Sequence, residues 1–515
     1  MKLNYKRIIL VGFAFFLIQA FWQAYDNTIP MILTNKFGMS QAWSGAIMAL
    51  DNVLALFMLP LFGAISDKHH SKWGRRTPFI VVGTLIAAVM LIALSFVDNA
   101  QLHHISDVAA IDDPAALETI YDREADETLL TPGGQKFVLS RQFTKEEFTQ
   151  IRSQITVDGA AVTNPDYTNY VMPARQACAW DATAKSPVTL VFFIALLLVI
   201  LVSMSVFRSP AVALMPDVTL KPLRSKANAV INLMGSAGGI LVLVLGMVFA
   251  TSAVRNSLMS YTGYFAVIAA IMLAALVVFM LTVRENEWAA EMQQQSVELG
   301  LEDKEEAATG ERKLSVDEVK SLIFLLLSIV LWFFGYNAVT SKYSVYASNI
   351  LHKDYNLTLI IAQAAAIISY LPVGFIASRV GRKKTILAGV VMLTAAFTTA
   401  SFMSAESPTM LMNAMFCLAG IGWATINVNS FPMVVEMCSG SDVGRYTGFY
   451  YTASMAAQVV TPMFSGFLMD KLGMTVLFPY AAIFVAGAFV TMLFVRHGDS
   501  RPIPAKGLEA LDVDD

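Results

Sequence analysis

The chain states one pattern twice, 311 residues apart. Gly63-Ala-Ile-Ser-Asp67-Lys68 is echoed by Gly374-Phe-Ile-Ala-Ser378-Arg379, and at the same offset Tyr25-Asp26 stands opposite Tyr336-Asn337. Both pairs lie inside long apolar stretches. A repeat of this length carried on hydrophobic helices describes two related halves built around a central site, which fixes where a ligand belongs before any residue is interpreted. Past Lys68 the offset drops to 307 and aligns Gly74-Arg75-Arg76 with Gly381-Arg382-Lys383; later, Pro210 corresponds to Pro432 and Arg224 to Arg445. Recurrent glycines and basic residues alone would not keep one register from Tyr25 to Lys68.

Composition supplies the medium. Hydrophobic residues make up 56% and charged residues 15% of 515, against about 25% charged in soluble domains. Twelve apolar segments are long enough to cross a ~30 Å hydrocarbon layer: roughly 8–32, 41–65, 77–97, 187–214, 226–250, 261–283, 319–345, 355–378, 385–404, 409–435, 446–469 and 475–495. The expected fold is an all-α membrane protein of twelve transmembrane helices in two pseudo-symmetric six-helix halves. Bases collect before the first segment (Lys2, Lys6, Arg7), after the second (Lys68, Lys72, Arg75, Arg76), after the fourth (Lys221, Arg224, Lys226) and after the eighth (Arg379, Arg382, Lys383, Lys384). The alternate loops hold few: Lys36, Arg255 and Lys471. That asymmetry predicts cytoplasmic termini on a multi-pass protein of the cell membrane, plasma or inner. The first apolar run is too long for a cleavable leader and lacks a small-residue cleavage site. Cys178, Cys417 and Cys438 give no disulfide framework.

The expected divisions are a first half at 1–283, a cytoplasmic linker at 284–318, a second half at 319–496 and a cytoplasmic tail at 497–515. Residues 98–186 form an outer insertion between the third and fourth segments, with 14 Asp and Glu against 7 Lys and Arg, about −7. It contains a short helix near Lys145–Gln154, capped by Thr144 with Glu147 three residues on. It reads either as a decoration without chemistry or as a solute gate or partner surface.

Gly-x-x-x-Asp-Lys/Arg followed by Gly-Arg-Arg resembles the cytoplasmic signature of the major facilitator superfamily. The spelling from Gly63 to Ile80, with its stretched spacing and trailing Pro78-Phe79-Ile80, resembles the proton-coupled sucrose transporters and the solute carrier 45 group, near the glycoside–pentoside–hexuronide:cation symporters. The resemblance covers the twelve-segment core and departs at the outer insertion. It implies a latch of Gly63, Asp67, Lys68, Gly74, Arg75 and Arg76, echoed by Gly374, Arg379, Gly381 and Arg382, in which glycines permit close helix approach while acid and bases lock the helix ends.

A carboxylate inside the bilayer costs several kcal/mol unless paired, hydrated or protonated, so each marks a candidate site. Asp26 and Asp51 fall at comparable depth; register sets Asn337 opposite Asp26, and Ala362-Gln363 opposite Asp51-Asn52. Acids in one half and amides in the other suit a carrier in which one half takes a proton. Asp26 is expected to contact solute and Asp51 to carry the proton, or the reverse; either could instead be a helix-to-helix hydrogen bond. Arg208 is a counter-ion to one of them, a forked donor to solute hydroxyls, or a side chain snorkelling to headgroups. Asp217 and Glu436 are expected to pair with Arg224 or Arg445. Sugars stack apolar faces on aromatic rings and satisfy hydroxyls with amides and acids, and the polar-aromatic segments supply Gln19, Trp22, Gln23, Tyr25, Asn27, Tyr336, Asn337, Gln363, Trp423 and Asn427. The clustering carries this inference, since single rings serve packing or an interfacial belt more often.

Sodium is disfavoured, because Leu54–Pro60 offers no second carboxylate for a hard cation. Phosphate-loop, metal-ligand and nucleophile-elbow motifs are absent from the sequence, so neither an enzyme, a metal, a cofactor nor a nucleic-acid partner is expected. The reading is a secondary active transporter, a monomer in the bilayer, whose partners are a sugar (sucrose, maltose or a related glycoside) and protons. The alternatives are a proton-coupled exporter of drugs or other amphipathic solutes, and a non-transporting sensor or scaffold that uses the outer insertion.

Overall fold

The computed structural model describes residues 3–157, 159–220, 223–298, 315–435, 437 and 443–498. Each apolar segment forms helix. The elements in order are α1 (Tyr5–Asn35), α2 (Gln41–Met48), α3 (Leu50–Lys68), α4 (Thr77–His104), α5 (Ser106–Ala109), α6 (Pro114–Glu124), α7 (Leu139–Gln142), α8 (Lys145–Thr149), α9 (Met172–Lys185), α10 (Val188–Asp217), α11 (Arg224–Val248), α12 (Thr262–Thr282), α13 (Glu285–Glu298), α14 (Val316–Tyr346), α15 (Tyr355–Val380), α16 (Arg382–Ala400), α17 (Thr409–Val435), α18 (Val443–Leu472) and α19 (Leu477–Leu493). α2 and α3 are one span interrupted at Ala49, so the crossing helices number twelve. Nine crossings are apolar throughout a membrane-length window, among the described residues. Of the other three, α15 is apolar over the shorter stretch Tyr355–Tyr370, α16 opens on Arg382-Lys383-Lys384, and α18 carries Tyr450, Tyr451 and Gln458.

Two cores divide the bundle. One is built from residues of α1 to α4 and α10 to α12, the other from α14 to α19, with Met31 of α1 joining the second. The halves are bonded to one another at the end that carries the insertion. There Lys342 Nζ of α14 donates to the Gln41 carbonyl at 2.6 Å, and the Asp470 carboxylate of α18 accepts the N–H groups of Gln41 and Ala42 at 2.8 Å each. Thr251 and Tyr355 bond at 2.7 Å beside them. Gly45 of α2 runs against the Pro462 carbonyl of α18 so closely that a Cβ would stand 2.0 Å from it; only glycine admits that approach.

α4 continues seven residues beyond the apolar window, and the reason is Lys36. Counted in the sequence as a loop charge, it is fully enclosed: Nζ reaches both Asp98 oxygens at 2.5 and 2.6 Å and the Met259 carbonyl at 2.7 Å, over the Tyr261 ring. Neutralising Asp98 lets the helix keep going.

Residues 105–185 fold as a small unit with its own core, including Ile105, Leu117, Ile120, Phe148, Tyr167 and Cys178, joined by Val254 and Leu258 from the α11–α12 turn. Two hairpins, Leu129–Leu130 with Lys136–Phe137 and Gln154–Val157 with Ala160–Thr163, complete it. The Thr144/Glu147 capping box is present, and its helix, α8, ends at Thr149. Lys145 joins it to α6 through Glu118 at 2.8 Å and Asp122 at 2.9 Å. Cys178 donates to Glu124 at 3.4 Å, and burial pushes its thiol pKa up. The unit touches both halves: Gln176 bonds Asn35 of α1 at 2.9 Å, and Met474 N, before α19, donates to the Pro132 carbonyl at 2.7 Å. The linker is helical over Glu285–Glu298; the remainder, 299–314, and the tail beyond 498 lie outside the described residues.

Candidate functional site

α1 places polar groups on consecutive turns of one face: Gln19, Gln23, then Asp26 and Asn27. Opposite them α14 brings Tyr336, α15 brings Gln363 and α17 brings Trp423, enclosing a cavity of about 320 Å³. That volume suits a small ligand. Tyr336 and Trp423 form a flat double layer, centroids 3.6 Å apart and planes within 1°. Gln363 Nε2 donates to Gln23 Oε1, joining the halves across the cavity. Gly239 of α11 lies against this bridge: a Cβ there would stand 3.2 Å from Gln363 Oε1 and 3.5 Å from Gln23 Oε1.

A second, smaller cavity of about 100 Å³ adjoins the first and is lined by Asp26, Asp51, Asn52, Asn337 and Gln458. Asp26 belongs to both. Asp51 accepts a hydrogen bond from the Asn52 amide at 2.7 Å. Arg208 lies inside α10, which continues to Asp217, so its side chain is not at a helix end reaching for headgroups. The guanidinium sits over Trp22, 5.7 Å from the ring centroid, within electrostatic range of Asp51, Asp26 and Tyr451. No direct ion pair joins it to either aspartate among the described residues. Asn27 Nδ2 and Asn337 Nδ2 are buried without a hydrogen-bond partner; each is a donor that a solute hydroxyl or water would satisfy.

The structure therefore gathers Gln19, Gln23, Asp26, Asn27, Tyr336, Gln363 and Trp423 around one cavity, and Asp26, Asp51 and Asn337 around the other. Three candidates line neither cavity directly: Tyr25 packs with Phe21 in the core of the first half, Trp22 lies under the Arg208 guanidinium, and Asn427, one turn beyond Trp423, hydrogen-bonds Tyr370 of the main cavity wall. Ser236, Thr340 and Tyr370 line the main cavity and were not singled out from the sequence. Tyr370 had a signal, two helical turns after Gln363 on the same face; Ser236 sits among small residues and had none.

At the far end of the first half, Arg76 is the centre of the latch. It pairs with Asp67 and, through Nε at 2.8 Å, with Asp217, which Arg75 also reaches at 3.1 Å. Among the described residues Asp217 pairs with Arg75 and Arg76, because α10 packs along α4 and α3 and delivers Asp217 to the Gly74–Arg76 turn. The Arg224 side chain, Glu436 and Arg445's side chain lie outside the described positions. Glu285 of α13 accepts the N–H groups of Arg75, Arg76 and Thr77 and the Thr77 hydroxyl at 2.7–2.8 Å, capping α4. Gly74 makes room with φ of +119°, a region glycine enters without strain. Gly63 packs on Ser209, and Lys68 is exposed. In the second half Gly374 faces open space, Arg379 covers the Phe375 ring at 4.0 Å, and Gly381 turns the chain into α16 at Arg382.

Similarity to known proteins follows this architecture. The model of the Major Facilitator Superfamily matches residues 176–369 and 352–511. The model described as MFS/sugar transport protein matches 10–103; between them, 104–175 of the insertion is unmatched. Sucrose transport proteins SUC3 and SUC4 of Arabidopsis thaliana are 39% identical over 67 residues and 36% over 59, segments that span 11% and 12% of those proteins and 13% and 12% of this chain. Among solved structures, the inward open xylose transporter XylE from E. coli aligns over 99% of both chains with a TM-score of 0.58 and 14% identity. The nucleoside transporter NupG aligns over 95% of this chain and 100% of its own, with a TM-score of 0.55 and 14% identity. At such identities these likenesses concern the fold alone. The family match over most of the chain, together with the two six-helix halves, identifies this protein as a multi-pass membrane transporter, not an enzyme, belonging to the Major Facilitator Superfamily.

Proposed function

We propose that the chain imports a neutral glycoside, such as sucrose or maltose, together with a proton by alternating access. The observation that carries this reading is the position of Asp26, the shared wall of an amide- and ring-lined cavity and a smaller carboxylate cavity. A solute hydroxyl and a proton meet at one side chain. Protonation of Asp26 or Asp51 with solute bound removes a charge from the interface between halves and lowers the cost of moving the loaded site through apolar surroundings. Residues 1–283 and 319–496 act as the rocking halves of a monomer, with 284–318 as the linker and both termini cytoplasmic in the cell membrane. The Gln23–Gln363 bridge exchanges its partner for sugar hydroxyls, and Tyr336 with Trp423 offers the stacking face.

The test is external pH beside lightly buffered cells expressing the protein, with sucrose, maltose and other glycosides added in turn. Alkalinisation with one sugar, abolished by Asp51→Asn or Asp26→Asn, supports the proposal. Uphill uptake unchanged in both variants, or uptake driven by sodium alone, sinks proton symport.

A further inference from the structure

A cavity of about 490 Å³ at the insertion end belongs to neither half alone. Trp43 comes from α2, Gln176 and Trp180 from α9 of the insertion, and Asn349 and Asp470 from the second half. Trp43 and Trp180 are 65% and 41% exposed, large rings available to the apolar face of a solute. Around them stand amides. Gln41, only 6% exposed, lines the cavity with its Oε1 lacking a hydrogen-bond partner. Gln176 spends one N–H on Asn35 and keeps its carbonyl oxygen. Asp470 is the lone charged side chain in the lining, and both its oxygens already accept backbone N–H groups. Without a basic group the site is unsuited to anions, and with its carboxylate occupied it offers little to cations. Rings and amides without free charge match a neutral polyhydroxylated solute.

We propose that this cavity is a second binding site for such a solute, a claim that rests on the sugar reading of the central site. Because its walls come from both halves, the site is complete only while the insertion end is closed. A ligand binds best to the state in which its site is whole and shifts the population toward it. Outer occupancy therefore holds that end shut, and high external sugar slows its own uptake.

The experiment compares tritiated sucrose binding to the purified full chain with initial sucrose uptake into proteoliposomes. The variants are Trp43→Ala/Trp180→Ala, Trp43→Phe/Trp180→Phe and Trp423→Ala. The wild-type chain binds two sucrose molecules, each alanine variant binds one, and the phenylalanine pair retains two. Wild-type uptake falls about twofold when the outer site is half occupied, and the fall disappears in Trp43→Ala/Trp180→Ala. One sucrose per wild-type chain, lost only in Trp423→Ala and with uptake rising to a plateau, overturns the outer site and leaves the central one standing. No binding to any form overturns both. Should the double alanine variant bind none, the phenylalanine pair decides: two molecules sustain the proposal and one ends it.

Discussion

Asp470→Ala should open the insertion end. Asp470 accepts two N–H groups at the start of α2, each at 2.8 Å, so it caps a helix of one half from the other half. Hydrogen bonds to a charged group contribute about 1.5–3 kcal/mol each, but opening returns the carboxylate and both N–H groups to water. The appropriate scale is the net cost of losing a helix cap, about 0.5–2 kcal/mol, and this half-buried, doubly bonded case belongs near about 2 kcal/mol. That displaces the closed-to-open ratio by about 30-fold. Lys342→Met is the informative contrast. Lys342 is fully enclosed, and enclosing an ammonium costs several kcal/mol, which offsets its bond to the Gln41 carbonyl. Its removal should leave the closed state as stable or more so. The assay is the rate at which a membrane-impermeant maleimide modifies Ser44→Cys, in a chain whose native cysteines are replaced. Ser44 is fully buried in α2, so its modification reports separation of this end. Modification should quicken about 30-fold in Asp470→Ala and not in Lys342→Met. Equal rates in wild type and Asp470→Ala, or quickening with Lys342→Met instead, would refute this account of the clamp.

Three further outcomes are expected. Glu285→Ala strips the cap from α4 and leaves three N–H groups unpaired in a buried site, costing about 3 kcal/mol; the apparent melting temperature should drop by several degrees, with Glu285→Gln intermediate. Lys36→Met strands the Asp98 carboxylate and should destabilise by about 3–5 kcal/mol in the same measurement, most of it recovered in Lys36→Met/Asp98→Leu. The Thr144 N–H holds the Glu147 carboxylate below its usual range, so its contribution to the insertion is present above the ordinary carboxylate pKa and lost as pH falls through the folded value; amide protection in α8, taken relative to the intrinsic exchange rate at each pH, should fall with acidification over that window, and unchanged protection would remove the cap from the account.

The spans were legible because crossing a bilayer demands about 20 apolar residues whatever the fold. What the sequence hid were the places where a charge is cancelled by a distant partner. Nothing local to Asp98 says that Lys36, 62 residues earlier, will neutralise it and let α4 run on to His104. Likewise Asp217 finds Arg75 and Arg76, about 140 residues earlier, through the packing of α10 on α4. In the site, Asp26, Gln23 and Gln363 announced themselves as polar groups in apolar surroundings. Tyr25 carried the same signal, yet it packs into the core of the first half, while Trp22 lies under the Arg208 guanidinium, because polarity marks a residue without saying which side of a helix it will face. The insertion showed only its capped helix; its core is assembled from short pieces whose periodicity is too brief to read.

The grip of the second half on α2 has a bearing on how the sequence can vary. Asp470 and Lys342 engage peptide groups of Gln41 and Ala42, never their side chains. The cap asks only for an N–H at residue 42, so any residue but proline can stand there without breaking it, while residue 470 must keep its carboxylate. Residue 41 escapes that freedom only through the cavity its side chain lines. A survey of related chains should find variation at 42 beside constancy at 470, and how far 41 varies would measure the worth of the cavity independently of the junction.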